Sequence, residues 1–377
     1  MNKRIIFLAC AVVATVAAWA CTSAIVTARM TANGRPLLWK HRDTSDLNNV
    51  VERITPDNGF AYIGLFNASD TLRREAWMGC NTEGFAIMNT ASYNLKADTV
   101  THMDREGLVM SEALRRCRTV DEFEQLLRTM PKPLGVEANF GVIDAHGGAA
   151  YFETCNYTYT RFDVDSIVVR TNHSKSGRSG EGYGYVREAN AQCLLRHYVA
   201  AHSITPEVLT ERLSRSFYHS LVGKDFAADT VTYVVDRDFI PRRISSASVV
   251  VEGVAQGDNP AATTMWTVLG YPPCGVVVPA WTFEGGVPVE LRADSLTGHS
   301  PACDRANELK RQVFDNPLPD TGDYLNIKAL YGADGAGIAV DCHRESVENY
   351  RRGYEFLKNL KSATIIQYTI KGRFMSR

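Results

Sequence analysis

The sequence predicts an α+β fold in which helices cover sheets. Strand-like and helix-like segments follow one another in the order strands, helices, strands, helices, which is typical of a layered domain. No repeat or long linker interrupts this order from residue 21 to the end. The composition, 45% hydrophobic and 22% charged over 377 residues, is that of a globular protein with a sizeable core. A single mixed domain, residues 21–377, is the simplest interpretation.

Residues 1–20 have the layout of a secretory signal peptide. Lys3 and Arg4 precede an apolar stretch, residues 5–20, that ends in the small-residue site Ala18-Trp19-Ala20. This stretch is shorter than the roughly 20 residues that a membrane-spanning helix needs, and no comparable stretch follows it. We therefore expect an exported protein, periplasmic or secreted, with no integral membrane segment after signal removal.

Cleavage after Ala20 would make Cys21 the first residue of the mature chain, and two fates compete for it. A free Cys21 would carry a thiol beside an α-amine of pKa about 7.7–8.0, which is a nucleophile with its own base. Alternatively, Cys21 would be lipidated as in a lipoprotein. Such sites usually have an aliphatic residue three positions earlier and a small one two earlier. Ala18 and the bulky Trp19 therefore favour the unmodified cysteine.

The first predicted elements form a hairpin that begins just after Cys21. Residues 24–28 read as a strand, Asn33-Gly34 as a tight turn and residues 36–39 as the start of the return strand. Further strands are predicted at residues 61–66 and, after a turn at 81–84, at 85–88.

Helices and strands then alternate along the rest of the chain. Two helices are predicted over about 105–116 and 120–130, the second opened by a capping box of Thr119 and Glu122. A further helix is predicted over about 205–214. Later strands are predicted at 139–144, 149–153, 167–171, 249–251, 266–269 and 276–278, and a mostly helical, charged part from about 303.

Charge and cysteine spacing exclude several classes of function. The chain has 41 Lys and Arg against 42 Asp and Glu, which gives no electrostatic case for a nucleic-acid partner. Its nine cysteines include no C-x-x-C pair, so a zinc or thioredoxin site has no support. We expect neither metal nor cofactor. Disulfide pairing and oligomeric state cannot be deduced from these patterns.

An N-terminal cysteine that cleaves amides needs a base, a group that holds the base, and donors for the tetrahedral oxyanion. Asp43 lies across the predicted hairpin, where it could hold the α-amine of Cys21. Asn172 ends a predicted strand and could donate to the oxyanion. Asn81 and Asn89 are further amide donors at the ends of a strand pair.

These residues fall in motifs that resemble a known superfamily. The motifs are Cys21-Thr22-Ser23, the run from Gly34 to Asp43, Asn81-x-x-Gly84, Asp144-x-x-Gly147 with Glu153, and Thr171-Asn172-His173. In this order they resemble the N-terminal-nucleophile hydrolases of linear amide C–N bonds. The likeness is greatest to isopenicillin-N acyltransferase-like proteins, and choloylglycine hydrolase, penicillin V acylase and acid ceramidase are more distant. It covers about residues 21–175 and, more loosely, 245–281.

The resemblance implies a four-layer αββα sandwich and specific roles. Cys21 would be the nucleophile and, through its amine, the base, while Asp43 would orient that amine. Asn172 would stabilise the oxyanion. Asn81 matches a turn motif, and Asn89 is a candidate for the second oxyanion donor.

Two cationic positions are less settled by the resemblance. Many relatives have Arg where this chain has Lys40, and Lys keeps the charge but lacks the bidentate fork. Arg243 or Arg242, ahead of a predicted strand, would supply a later active-site arginine.

The sequence therefore predicts an exported cysteine amidohydrolase that acts on a small-molecule amide. An acyltransferase that uses the same acyl-enzyme is an alternative, because the difference lies in whether water or a second substrate accepts the acyl group. A non-catalytic lipoprotein that binds a ligand is the alternative from another class. The amide substrate itself, whether a bile salt, a penicillin or an N-acyl amino acid, is not readable from the motifs.

Overall fold

The computed structural model describes residues 21–228, 231–315, 323–332, 336–362 and 374. The predicted signal peptide, residues 1–20, lies outside the described residues.

Within the described ranges the strands, in chain order, are β1 (Thr22–Val26), β2 (Leu37–Asp43), β3 (Asn49–Ile54), β4 (Tyr62–Asn67), β5 (Met78–Asn81), β6 (Ala86–Ala91), β7 (Ala138–Ile143), β8 (Ala149–Thr154), β9 (Tyr159–Asp163), β10 (Ile167–Arg170), β11 (Tyr218–His219), β12 (Lys224–Asp225), β13 (Tyr233–Val235), β14 (Ser245–Glu252), β15 (Thr264–Leu269), β16 (Val278–Ala280) and β17 (Tyr324–Asn326). The α-helices are α1 (Glu106–Arg116), α2 (Val120–Thr129), α3 (Tyr185–Ala200), α4 (Pro301–Val313), α5 (Ile327–Tyr331) and α6 (Ile338–Ser362).

Two antiparallel sheets form the centre of the fold. The first has the order β10-β1-β2-β14-β15-β16, and the second runs β3 to β9 in sequence order as a meander. The strands β1, β2 and β14 pair in register at the middle of the first sheet, where Ser23 lies opposite Lys40 and Lys40 opposite Val249. These central strands are buried along their whole length.

The two sheets face each other, and helices cover their outer faces. Ile25 and Leu38 of the first sheet share one core cluster with Phe140 and Phe152 of the second and with Phe123 of α2. A separate cluster on the other face of the first sheet joins residues of its strands to α3 and α6, namely Trp39, Val250, Trp266, Leu195 and Tyr350. The layers are therefore helix, sheet, sheet, helix, and the predicted αββα sandwich is confirmed.

Most predicted elements lie within one or two residues of the observed ones, and α1, α2 and the β7–β8 hairpin are examples. The side chain of Thr119 caps α2 by accepting from the N–H of Glu122, as the capping box predicted. The connection between β1 and β2 differs from the prediction. It spans residues 27–36 and includes a 3₁₀ turn, Ala28–Met30, so Asn33-Gly34 is one bend in a longer loop.

Helix α3 was missed because its buried face is polar. Arg187, Glu188 and Asn190 are buried on it beside Ala191 and Leu195. A helix whose inward side carries charged and amide groups lacks the apolar stripe that identifies amphipathic helices in a sequence. The predicted helix at 205–214 is observed as a π-helical segment, Val208–Leu213.

None of the helices in the described ranges is long and apolar enough to cross a membrane.

Candidate active site

Cys21 immediately precedes β1 and lies in the wall of a cavity of about 300 Å³. The residue is buried, with 7% of its surface exposed, and its Sγ is 3.9 Å from the carbonyl oxygen of Asp43. Lys40, Arg42, Asp43 and Asn89 line the same cavity. The structure thus brings the predicted nucleophile, the predicted orienting carboxylate and one predicted amide donor into one space.

Strand alternation on β2 separates the polar side chains into two sets. Leu38 belongs to the core between the sheets, and Lys40 and Arg42 follow it at the same period of two. Trp39 belongs to the cluster under α3 and α6, and His41 and Asp43 follow on that side. The two sheet faces thus divide a buried run of four consecutive charged or ionisable residues.

Lys40 is a buried cation held by neutral acceptors. Its Nζ donates to the carbonyl of Trp77 at 2.8 Å and to Oδ1 of Asn89 at 2.6 Å. Burial lowers the pKa of Lys40 to about 8, whereas the negative charge of a Cys21 thiolate acts to raise it. A lysine in this position is therefore charged at neutral pH but loses its proton far more readily than in water.

Arg42 is a second buried cation in the same wall. Its guanidinium donates to Oδ1 of Asn49 and, at 2.8 Å, to Oδ1 of Asn67. It lies 4.9 Å from the ring centroid of Trp77, which is cation–π distance. Burial lowers the pKa of Arg42 to about 10, and Cys21 is first among the groups whose charge opposes that shift.

Asp43 is held from the side opposite the cavity. Arg242 donates to Oδ2 from Nε at 3.1 Å and from Nη2 at 2.7 Å, and the hydroxyl of Ser245 donates to Oδ1 at 2.6 Å. His41 also contacts Ser245, through Nε2 at 2.8 Å, and burial lowers the pKa of His41 to about 4. Asp43 is thereby fixed in place, and each of its oxygens keeps lone-pair capacity for a further donor.

Asn172 follows β10 and is tied to the start of β1 through Arg187. The guanidinium of Arg187 donates to Oδ1 of Asn172 at 2.8 Å, to the carbonyl of Cys21 at 2.7 Å and to the hydroxyl of Thr22 at 2.8 Å. The Nδ2 of Asn172 donates to the carbonyl of Ala91, a residue of the cavity wall, at 2.9 Å. Asn172 itself is not among the residues that line the cavity, so its predicted oxyanion role stays a prediction.

Asn89 presents an amide to the cavity. Its Oδ1 accepts the hydrogen bond from Lys40, which turns its Nδ2 away from that cation. Nδ2 donates to none of the residues that the structure describes, although the side chain is buried with 4% exposure. Of the asparagines predicted as oxyanion donors, Asn89 is therefore the one that lines the cavity of Cys21.

Two predicted residues lie elsewhere. Asn81 is a turn former: its Nδ2 donates to the carbonyls of Leu114 and Cys117 at the end of α1, both at 2.8 Å. Its Oδ1 accepts from the N–H groups of Glu83 and Phe85, so all of its capacity goes into the fold.

Arg243, offered as a supporting residue, also lies away from the site. It is half exposed and pairs with Asp323, and its neighbour Arg242 is the arginine that reaches Asp43. Of the two arginines that the sequence offered, Arg242 is therefore the one that contacts Asp43, because the geometry of the loop before β14 decides which of two adjacent arginines turns inward.

Other motif residues serve the scaffold. The carboxylate of Asp144 accepts from His146 and Gly148 within the β7–β8 turn and from Val120 at the start of α2. Glu153 is buried and pairs with Arg170 at 3.1 Å. Its carboxylate also accepts hydrogen bonds from the backbone N–H groups of Lys175 and Ser176. Both residues hold elements that frame the site without reaching it.

Sequence reasoning did not assign Arg42, Arg187 or Trp77 to the site. Arg42 could have been predicted from the sequence, since it lies two residues after Lys40 on one strand and therefore on the same face of the sheet. Arg187 had none, because the contact of α3 with the start of β1 joins residues far apart in sequence.

Over the described ranges, no group of three or more His, Cys, Asp or Glu side chains is arranged to hold a metal ion. All eight cysteines in those ranges are free thiols, and all but Cys193 are buried.

No family model matches the sequence, and no curated protein matches it. Solved structures do match. An orthologue of N-acylethanolamine-hydrolyzing acid amidase from Caenorhabditis elegans has a TM-score of 0.42 at 11% identity, over 63% of this chain and 95% of that one. A mutant of conjugated bile acid hydrolase from Clostridium perfringens has a TM-score of 0.41 at 11% identity, over 66% and 89%. Penicillin V acylase from Agrobacterium tumefaciens has a TM-score of 0.39 at 12% identity, over 69% and 85%.

Proposed function

We propose that this protein is an exported cysteine amidohydrolase that cleaves a linear C–N amide bond through an acyl-enzyme on Cys21. One observation carries the proposal. The thiol of Cys21 shares a cavity with two buried cations and with an amide donor that has no partner among the described residues. A cysteine in such surroundings has the electrostatic environment of a nucleophile, whereas a buried structural cysteine lies among apolar groups.

Removal of residues 1–20 is the step that would complete the site. In the full chain the nitrogen of Cys21 belongs to a peptide bond with Ala20, and an amide nitrogen is not a base. Cleavage at that bond would release an α-amine next to the thiol, with Asp43 in place across the hairpin to accept a hydrogen bond from it. The amine would then take the thiol proton as the sulfur attacks the carbonyl.

The remaining groups suit the stabilisation of the tetrahedral intermediate and the release of the two products. The Nδ2 of Asn89 would donate to the oxyanion of the tetrahedral intermediate, and the charge of Lys40 behind it would add to the stabilisation. The α-amine would return its proton to the leaving amine as the C–N bond breaks. Water, activated by the same amine, would then release the acid and restore the thiol.

Many relatives have an arginine, with its bidentate guanidinium, where this chain has Lys40. Lys40 and Arg42 together could supply the same positive charge. Within the described part of the chain, neither cation has a carboxylate among its hydrogen-bond acceptors, which are a backbone carbonyl and three asparagine side chains. Two buried positive charges with neutral partners favour an anion nearby, and the thiolate of Cys21 is a group of the cavity that can supply it. We propose that the pair replaces one bidentate arginine.

Acyl transfer would use the same acyl-enzyme with an amine or thiol as acceptor. A lipidated Cys21 would support the binding-protein alternative, because an alkylated sulfur cannot attack a carbonyl. The experiment that separates these possibilities starts with mass spectrometry of the N-terminal peptide of protein exported by its native route. An unmodified N-terminal Cys21 is expected.

The same protein would then be assayed against a panel of amides, with and without added acceptor amines. Wild type is expected to release amine, Cys21→Ala to be inactive and Cys21→Ser to lose most activity. Cys193→Ala is the matched control, because Cys193 is the half-exposed cysteine of α3 outside the cavity, and it should keep full activity. A diacylglyceryl or acylated Cys21, or a mature chain in which Cys21 is internal, would contradict the proposal.

A further inference from the structure

We infer that the substrate carries a cationic group, an ammonium or guanidinium, beyond the amide that is cleaved. This inference rests on the proposed function for the cavity of Cys21. It is based on three carboxylates that line the same cavity, Asp104, Glu106 and Glu137, here called the outer carboxylates.

The outer carboxylates differ in how far they are buried. Asp104 is exposed, Glu137 is half-buried, and Glu106, the first residue of α1, is buried with 6% of its surface exposed. Cys21 and the two cations of β2 are all buried. A ligand bound at the thiol therefore occupies a cavity whose wall also carries three carboxylates.

No outer carboxylate has an ion-pair partner within 4.0 Å among the described residues. Glu106 accepts from the N–H of Glu137 at 3.0 Å through Oε1. Glu137 accepts through its own Oε1 from the N–H groups of Leu95 and Lys96, at 2.7 and 3.0 Å. These bonds position the two glutamates but leave their charge without a cation in contact.

The cations of the cavity are engaged elsewhere. The ammonium of Lys96 donates to the carbonyl of Asp98 at 2.6 Å and lies 3.5 Å from its carboxylate. Lys40 donates to Asn89 and the carbonyl of Trp77, and Arg42 donates to two asparagines. Lys40 does act on Glu106 through its charge, but burial dominates and raises the pKa of Glu106 to about 7.

The cavity wall thus carries two cations of β2, here called its inner end, and three carboxylates, here called its outer wall. The inner end suits the carbonyl oxygen of an amide, which becomes an anion in the transition state, and Asn89 offers its Nδ2 there. An apolar substituent along the outer wall would strip water from Glu106 without replacing it, which is costly for a carboxylate. A substrate cation would instead supply the missing partner.

The volume of the cavity limits the size of the substrate. A volume of about 300 Å³ is at the lower end of the range for small-molecule sites. The class that fits is a small hydrophilic amide with an amino or guanidino group, rather than a long acyl chain.

The test uses matched substrate pairs that differ in charge but not in shape. On the acyl side, aminohexanoyl p-nitroanilide is compared with heptanoyl p-nitroanilide; on the amine side, N-(aminohexyl)acetamide is compared with N-heptylacetamide. For wild type we expect kcat/KM to be at least about tenfold higher for the cationic member of one pair, as for a charge-assisted contact. Glu106→Gln and Glu137→Gln should reduce that ratio towards one, and the ratio within each pair, rather than the absolute turnover, is the quantity compared.

Two further variants guard against a folding artefact. Asp104→Asn changes an exposed residue and should lower the ratio without affecting stability. Glu112→Gln, on the same helix α1 but paired with Arg115 and Arg116 outside the cavity, should leave the ratio as in wild type. Equal turnover of both members of each pair, or a preference for an anionic analogue drawn to Lys40 and Arg42, would overturn the inference.

Binding to Cys21→Ala separates this inference from the proposed function. If wild type cleaves no amide but the Ala variant binds aminohexanoyl p-nitroanilide more tightly than its neutral isostere, and Glu106→Gln removes the difference, the charge inference holds while the hydrolase proposal fails. If wild type cleaves neutral amides and neither protein prefers a cation, the hydrolase proposal holds and the charge inference fails.

Discussion

Nη2 of Arg187 donates a hydrogen bond of 2.8 Å to Oδ1 of Asn172, so a buried cation fixes which end of that amide is the oxygen. Lys40 does the same to Asn89 at 2.6 Å. In each pair the NH₂ end of the asparagine is directed away from the cation. Both predicted oxyanion donors thus have a charged residue that sets their orientation, and a donor fixed in advance needs no reorganisation during the reaction.

The Arg187–Asn172 contact predicts that Arg187→Met will lower kcat more than it raises KM. We expect a loss of about 10²-fold in kcat, typical of a misplaced oxyanion donor. Arg187→Lys should recover only part of it, because one ammonium cannot serve three acceptors in the geometry of a guanidinium fork. Steady-state kinetics on any amide that wild type turns over would measure both effects.

A double-mutant cycle with Asn172→Ala checks that Arg187 acts through this amide. If it does, the double variant should be scarcely worse than either single variant. Additive losses would show that Arg187 supports only the backbone at Cys21 and Thr22, and thermal melts would separate that structural loss from the kinetic one.

Lys40 predicts a shift in the alkaline limb of the pH profile. Because the pKa of Lys40 is lowered to about 8, its charge near Cys21 is lost as the pH rises through 8. Lys40→Arg keeps the charge across that range, so its kcat/KM should decline at higher pH than that of wild type. The pH dependence of kcat/KM for the two proteins, with protein stability followed in parallel, would test this. An unchanged limb would assign it to another group, such as the α-amine.

The sequence predicted those site residues that are brought to Cys21 by elements close to it in the chain, and it missed those brought there by long-range contacts. The sequence predicted that Asp43 and Lys40 lie near Cys21, because a hairpin carries them back beside it at a spacing that strand geometry determines. Arg187 was missed because the docking of α3 against the first sheet is a long-range contact with no local pattern. The choice between Arg242 and Arg243 depends on the turn before β14, where a single residue reverses the direction of a side chain.

The helices and strands were likewise predicted well only where a local apolar pattern marks them. Amphipathic helices such as α2 were predicted well, because their buried side is apolar. Strand β9 was missed: it lies at the edge of the second sheet and none of its residues is fully buried, so no apolar pattern marks it clearly.

Asn81 gives a prediction about stability that separates its structural role from a catalytic one. Asn81→Asp keeps the acceptor for Glu83 and Phe85 but sets a carboxylate oxygen against the carbonyls of Leu114 and Cys117. Unfavourable contact with two buried carbonyls should cost about 3 kcal/mol of unfolding free energy. Urea denaturation would measure the loss. The kcat of the protein that remains folded should equal that of wild type, and a large fall in kcat would restore Asn81 as a candidate oxyanion donor.

Glu106 predicts how stability changes with pH. Burial raises its pKa from 4.5 to about 7, so the native state binds more protons than the unfolded state between these values. Stability from this group is therefore fully present below pH 4.5 and is lost as the pH rises to 7, by about 3 kcal/mol in all. Glu106→Gln stays neutral and can still accept from the N–H of Glu137, so it avoids the loss.

Urea unfolding of wild type and Glu106→Gln at several pH values would reveal this difference. Relative to wild type, the variant should gain about 3 kcal/mol between pH 4.5 and pH 8. His41, with its pKa lowered to about 4, contributes the opposite slope below pH 6.5, but it is common to both proteins and cancels in the comparison. Glu112→Gln is the control and should show no such gain, because Glu112 lies on the outer side of the same helix. A flat difference for Glu106→Gln would mean that the carboxylate is solvated or paired in the folded protein, and it would remove the energetic basis for a substrate cation at the outer wall.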